Sequence, residues 1–111
     1  MNKLQILKSA KEVLNIESKA INDLAKSLNN DFFKAVKSIE NLKGKLIISG
    51  VGKSGNIASK IAASFTSTGI PSVFLSPVDA SHGDMGMIRA EDILIVLSNS
   101  GESHELSDLL D

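Results

Sequence analysis

Residues 46–65 read "LIISGVGKSGNIASKIAASF": a short run of apolar and small residues, a glycine cluster, then a long segment with one apolar face. That order predicts a buried strand, a tight turn and a helix, because adjacent isoleucines favour an extended chain and glycines permit the turn. Such a turn suits phosphate, since the free N–H groups of a helix start and the positive end of its dipole both favour an anion. Gly50, Gly52 and Gly55 fit G-x-G-x-x-G, the dinucleotide fingerprint. The fingerprint also requires an acidic residue at the end of the next strand, to hold a ribose. Here that strand, "SVFLS", ends at Ser76 and Pro77, and Asp79 arrives only after the proline. The "GKS" at residues 52–54 suggests a Walker loop, but that motif needs a glycine where this chain has Ile47. An ATP loop fails on spacing, and the dinucleotide match is partial.

The rest of the chain narrows the choice. Its 111 residues allow one domain at most, and 42% apolar with 23% charged residues is the composition of a globular protein. A net charge of −1 and no sustained basic run give no electrostatic case for nucleic acid, and four Phe with no Tyr or Trp offer no set of stacking platforms. The absence of cysteine excludes a disulfide framework and a thiolate metal site, and is compatible with the cytosol. Lys8 and Lys11 interrupt any signal-peptide core, and no run reaches transmembrane length, so no membrane partner is expected.

Residues 3–28 predict one long helix: Leu7, Leu14, Ile21 and Leu28 repeat every seven residues, and Ala10 and Leu24 fill the half-turns. Ile6, Val13 and Ala20 widen the stripe beyond a coiled-coil seam. "NND" at 29–31 breaks this helix and caps a second, "FFKAVKSIENLK", with Gly44 as its terminating glycine. After Gly55 the next helix is expected to bury Ile57, Ile61, Ala62 and Phe65 and to end near Thr68 and Gly69. "PSVFLS" is a second strand. "PVDASHGDMGMIRAED" is a loop of sixteen residues, long enough to suggest function. "ILIVL" at 93–97 has the pattern of a strand covered on both faces, and "SNSGES" turns into a further helix, "HELSDLLD". Strands alternating with helices imply parallel pairing and right-handed crossovers, hence an α/β fold, a doubly wound αβα sandwich; the expected sheet order is 2-1-3, with strand 1 central. Both polar loops, 50–55 and 98–103, follow the carboxyl end of a strand, where such sheets bind ligands.

The chemistry-bearing residues gather at those loops. Ser98, Ser100 and Ser103 stand around Gly101 at a strand-to-helix turn, an anion cradle, although Asn99 followed by Glu102 also resembles a simple capping box. Lys53 falls at the start of a helix, where a cation opposes the dipole unless an anion lies nearby; a tolerated surface lysine is the plainer alternative. His82 sits between Ser81 and Gly83, with Asp84 able to orient or charge it, and Glu105 occupies a first turn that welcomes a carboxylate. Both have ordinary loop or capping explanations too. Glu102 and His104 make a weaker case. Met85 and Met87 are expected to pack under the loop. No metal-ligand spacing and no G-x-S-x-G elbow occurs, so no metal and no cofactor is expected. A small phosphorylated substrate suits this set better than a dinucleotide.

Taken in order, "GxGKSG", "STG.P", "SHGD.GM" and "S.SGES.E" closely resemble the sugar isomerase (SIS) domain of the arabinose-5-phosphate isomerases, from about Lys45 onward. The resemblance implies a three-layer αβα sandwich with a flavodoxin-like parallel sheet. It casts residues 1–44 as a helical lead-in and 45–111 as the first part of the domain. It further implies interconversion of D-arabinose 5-phosphate and D-ribulose 5-phosphate, supplying Kdo for lipopolysaccharide or capsule, by a cytoplasmic homotetramer. Lys53, His82 and Glu105 match positions implicated in catalysis. The serine loop, Ser98, Asn99, Ser100, Gly101, Glu102 and Ser103, matches the phosphate site, with Ser54 expected near the phosphate's other end, and Gly69 and Ile70 match a substrate-contacting turn. The family sheet has five strands, with a further glutamate and histidine downstream and often a pair of CBS modules. This chain writes three strands, so it is expected to be an excerpt or a truncated gene product, and a non-catalytic phosphosugar-binding module is the alternative to an isomerase. Ser76 and Asn56 stand where some relatives have histidine, so a metal-binding histidine does not transfer.

Overall fold

The structure, a computed structural model, describes residues 1–78 and 84–99, with backbone alone for Asp84 and Met85. The chain divides into two compact units, Met1–Lys37 and Ser38–Asp111. In the first, helix α1 (Lys3–Ser27) starts from a reciprocal capping box. The Asn2 side chain accepts from the Gln5 N–H at 2.9 Å, and the Gln5 side chain accepts from the Asn2 N–H at 2.9 Å. Asn29 then caps α2 (Asn30–Glu40), its side-chain oxygen accepting from the Asp31 N–H at 2.9 Å. Among the described residues no helix is long and apolar enough to cross a membrane.

The second unit holds the sheet. Strands β1 (Leu46–Gly50), β2 (Ser72–Phe74) and β3 (Ile93–Leu97) lie in the order β2-β1-β3, all parallel. The predicted order and pairing are those observed. Leu46 pairs with Ser72 on one side and Ile93 on the other, and the β1–β3 register runs on to Gly50 opposite Leu97. Helix α3 (Lys53–Ser67) makes the crossover from β1 to β2.

Side chains of β1 alternate between two apolar clusters, one on each face of the sheet. Leu46 and Ile48 pack with Ala58 and Ala62 of α3 and with Ile39, Leu42 and Ile70; Ile47 packs with Leu75, Val73, Ile88 and Leu94. Leu46, Ile47 and Ile48 are fully buried, each contributing about 1.5–3 kcal/mol over an exposed position.

Three local expectations are corrected. Ile57 is 57% exposed, and the buried row of α3 is Gly55, Ala58 and Ala62. The helix is rolled so that its smallest residues meet the sheet. Strand β3 is only partly buried along its whole length, because α3 lies over β1 and β2 and β3 borders the described sheet. Gly44 does not terminate α2, which stops at Glu40, and its backbone is not left-handed. It is glycine because a Cβ there would collide with the Asp92 carboxylate and lie 2.9 Å from the Glu91 carbonyl.

Asp92 organises that edge of the sheet, where β1 and β3 begin. Its carboxylate accepts from the Lys45 ammonium at 2.7 Å, the Lys45 N–H at 2.9 Å and the Arg89 N–H at 2.8 Å, and only 2% of its side chain is accessible. The Lys45 ammonium also donates to the Met87 carbonyl at 3.0 Å. The bond from the Lys45 ammonium, then those from the Lys45 and Arg89 N–H groups, hold the Asp92 carboxyl down from 3.8 to about 2, against the opposing effect of burial. A depressed carboxyl stabilises the fold above its unfolded value and ceases to do so as pH falls through its folded one. Asp92→Asn is therefore expected to melt below the wild type at pH 7. That difference is complete above about pH 4 and shrinks as pH approaches about 2, readable from melting curves across the range.

Candidate functional site

The turn that decides the fold also builds the site. Gly50 and Gly55 touch backbone to backbone: a Cβ on Gly55 would lie 2.7 Å from the Gly50 carbonyl oxygen, and one on Gly50 would lie 2.8 Å from the Ser54 carbonyl. Between them Gly52 takes φ 59°, ψ −125°, a conformation almost confined to glycine. The Val51 carbonyl accepts from the Ser54 N–H at 3.1 Å and the Gly55 N–H at 3.4 Å, which starts α3 at Lys53. No acidic residue stands in the first turn, so the positive end of the helix is joined by the exposed Lys53 and opposed by no carboxylate of that turn. An anion is the complement of that arrangement.

Two depressions flank the turn at the carboxyl edge of the sheet. On the β3 side, Ser54 and Ile57 face Val96, Leu97, Ser98 and Asn99 around a groove of about 400 Å³. Three of the expected substrate-binding residues, Ser54, Ser98 and Asn99, thus meet in one place. On the β2 side, Gly50, Gly52, Asn56, Ser59, Phe74 and Ser76 line a cleft of about 290 Å³, together with Pro77 and Val78.

Gly69 and Ile70 stand elsewhere. They follow the last residue of a fifteen-residue helix, about 22 Å from its start at the usual helical rise. Gly69, at φ 94°, ends α3, its N–H bonding to the Thr66 carbonyl at 3.1 Å, and Ile70 packs into the cluster beneath α3. His82, Ser100, Gly101, Glu102, Ser103 and Glu105 lie outside the described residues, as does the expected helix at 104–111.

The β2-side cleft was missed as a unit by sequence reasoning. Its signal was present in part: Ser76 and Pro77 follow a strand end, and Asn56 and Ser59 sit one turn apart on the helix after the glycines. What the letters lack is that Phe74 leans toward Gly55, its ring 3.6 Å from where a Cβ would be.

The family model described as the SIS domain matches residues 39–111. The arabinose 5-phosphate isomerase KdsD of Yersinia pestis is 47% identical over 102 residues, covering 92% of this chain and 31% of the relative. That of Pseudomonas aeruginosa is 43% identical over 107 residues, covering 96% of this chain and 33% of the relative. The chain thus spans about a third of the length of the curated relatives it matches. A solved structure from Escherichia coli, in complex with arabinose 5-phosphate, superposes with a TM-score of 0.92 at 40% identity, covering 99% of this chain and 58% of that one.

Because backbone atoms meet at Gly50 and Gly55, neither position can relax by moving a side chain. Gly55→Ala and Gly50→Ala are each expected to lower stability by about 1–3 kcal/mol, the usual cost of overpacking. Gly52→Ala, which meets no atom within 4 Å, would lose a similar amount through backbone strain alone. Denaturant melts of the three variants check this, and an unchanged midpoint for Gly55→Ala would contradict the close approach.

Proposed function

Since the chain belongs to the SIS domain family, we propose that it is part of a sugar-phosphate aldose–ketose isomerase that interconverts D-arabinose 5-phosphate and D-ribulose 5-phosphate. The observation that carries this reading is the groove joining Ser54 to Ser98 and Asn99 beside the positive end of α3. The complex of the Escherichia coli neighbour with arabinose 5-phosphate supports the choice of ligand. In this proposal residues 1–44 are the lead-in and 45–111 the first part of the domain. The protein acts in the cytoplasm as a homo-oligomer, a tetramer, and feeds Kdo and lipopolysaccharide synthesis.

The reaction sets the roles. Moving a carbonyl between C1 and C2 requires opening the ring and passing a proton through an enediol. A general base must reach the carbon acid, an acid must serve the ring oxygen, and a cation or donor must stabilise the enediolate oxygen. A carboxylate base beside an imidazole does comparable work in triosephosphate isomerase. We assign Glu105 to proton transfer or to orienting the base, and His82 to ring opening. Lys53, exposed at the start of α3, stabilises charge on the enediolate or phosphate. Ser98, Ser100 and Ser103 with nearby N–H groups hold the phosphate, and Ser54 stands near its other end. Gly69 and Ile70 remain proposed substrate contacts.

In the full-length protein, Lys53→Ala, His82→Ala and Glu105→Gln should each lower turnover by about 10²-fold or more, the scale of general acid–base roles. Ser100→Ala with Ser103→Ala should weaken arabinose 5-phosphate binding. NAD and ATP should not bind saturably. Near-normal turnover in both Lys53→Ala and Glu105→Gln would overturn the site assignment, and tight NAD binding that survives the serine changes would restore a dinucleotide reading.

A further inference from the structure

Ser49 is the one polar residue within the apolar run of β1, and it is fully buried. Its hydroxyl donates to the Leu75 carbonyl. The place of that bond matters more than its existence. The last register pair of β1 with β2 is Ile48 with Phe74, and the last ladder bond runs from the Leu75 N–H to the Ile48 carbonyl at 3.0 Å. In a continuing parallel ladder the Leu75 carbonyl would accept from the Gly50 N–H, and residue 77 would donate to the Gly50 carbonyl. Residue 77 is a proline and has no N–H to give. The ladder therefore stops, the chain leaves β1, and Ser76, Pro77 and Val78 become the wall of the cleft opposite Gly50 and Gly52. A carbonyl abandoned at that point would be buried without a donor, and the Ser49 hydroxyl supplies one.

We propose that Ser49 is a positioning residue: its hydroxyl sets where the chain departs from β2, and thereby places the cleft wall of Ser76, Pro77 and Val78. This rests on the isomerase reading. Ser49 touches no substrate; it acts by fixing Leu75. Phosphate capture in the groove of Ser54, Ser98 and Asn99, on the β3 side of β1, is independent of it. Losing the hydroxyl accordingly slows the chemical step and leaves substrate affinity nearly as it was.

The test uses the full-length protein, with arabinose 5-phosphate as substrate, and compares Ser49→Ala, Ser49→Thr and Ile47→Val. Ile47→Val is a core lesion on the same face of the same strand. Ser49→Ala is expected to lower kcat by about tenfold or more, toward the ~10²-fold cost of a 1 Å misplacement, with KM little changed. Ser49→Thr, which keeps the hydroxyl, restores most of the loss, and Ile47→Val melts earlier without it. A wild-type kcat in Ser49→Ala overturns the proposal, and so does a loss that Ile47→Val reproduces at equal melting temperature. Amide hydrogen exchange gives a readout without turnover: Ser49→Ala should speed exchange at Leu75, Ser76 and Val78, and unchanged exchange there defeats the proposal. If the wild type isomerises no pentose phosphate, the isomerase reading falls, and exchange alone decides the role of Ser49.

Discussion

The contact between Gly50 and Gly55 is the constraint on which the site depends. Strand β1 is buried along its whole length, and α3 must start within two residues of its end. The chain can reverse that sharply only if the strand's last carbonyl and the helix's first turn approach to backbone distance. The approach also sets the roll of α3. With Gly55 against the strand end, Ala58 and Ala62 follow at helical spacing onto Leu46 and Ile48, and Ile57 turns outward to the groove beside Ser98. One backbone contact thus fixes the helix packing and delivers Lys53 and Ser54 to the carboxyl edge.

The two ends of the sheet are held by different chemistry. Where the strands begin, Asp92 gathers an ammonium and two backbone N–H groups, joining the entry of β3 to the entry of β1. That end is closed and its polar groups are satisfied by one another. Where the strands end, the exposed Lys53 and the positive start of α3 meet no carboxylate of the first turn. An arrangement of like polarity that disfavours itself is reasonable at a place where an anion is to be bound. The closed edge secures β1, and β1 in turn presents the open one.

Strand β2 shows how a cleft arises from an interrupted ladder. Pro77 removes the donor that would have kept the strands together, and Ser49 accommodates the break with a side-chain hydrogen bond inside the core. Phe74, just before the break, covers Gly55, and the residues just after it line the cleft. The opening between β1 and β2 is thus a consequence of two residue types placed at facing strand ends.

Much of this was legible in the letters because it rests on local rules. Apolar runs at strand length, glycines at the turn and helices alternating with strands implied three parallel strands, with the glycine turn and Ser98 at their carboxyl ends. The termination of α3 near Thr68 and Gly69, and the placing of the glycine turn and Ser98 at strand ends, follow from the same grammar. Gly44 shows its limit. Local rules made it a helix terminator, whereas its small size serves Asp92, forty-eight residues onward in sequence and in contact only after folding. Ile57 fits the helical period as well as Ala58 does, and the close approach of two backbones chose between them. Ser49 is an unremarked small residue until Leu75 is brought across from the neighbouring strand. The sequence by itself determined the elements and their edge; only the tertiary structure decided which face of each was buried, because that depends on atoms distant in the chain competing for the same space.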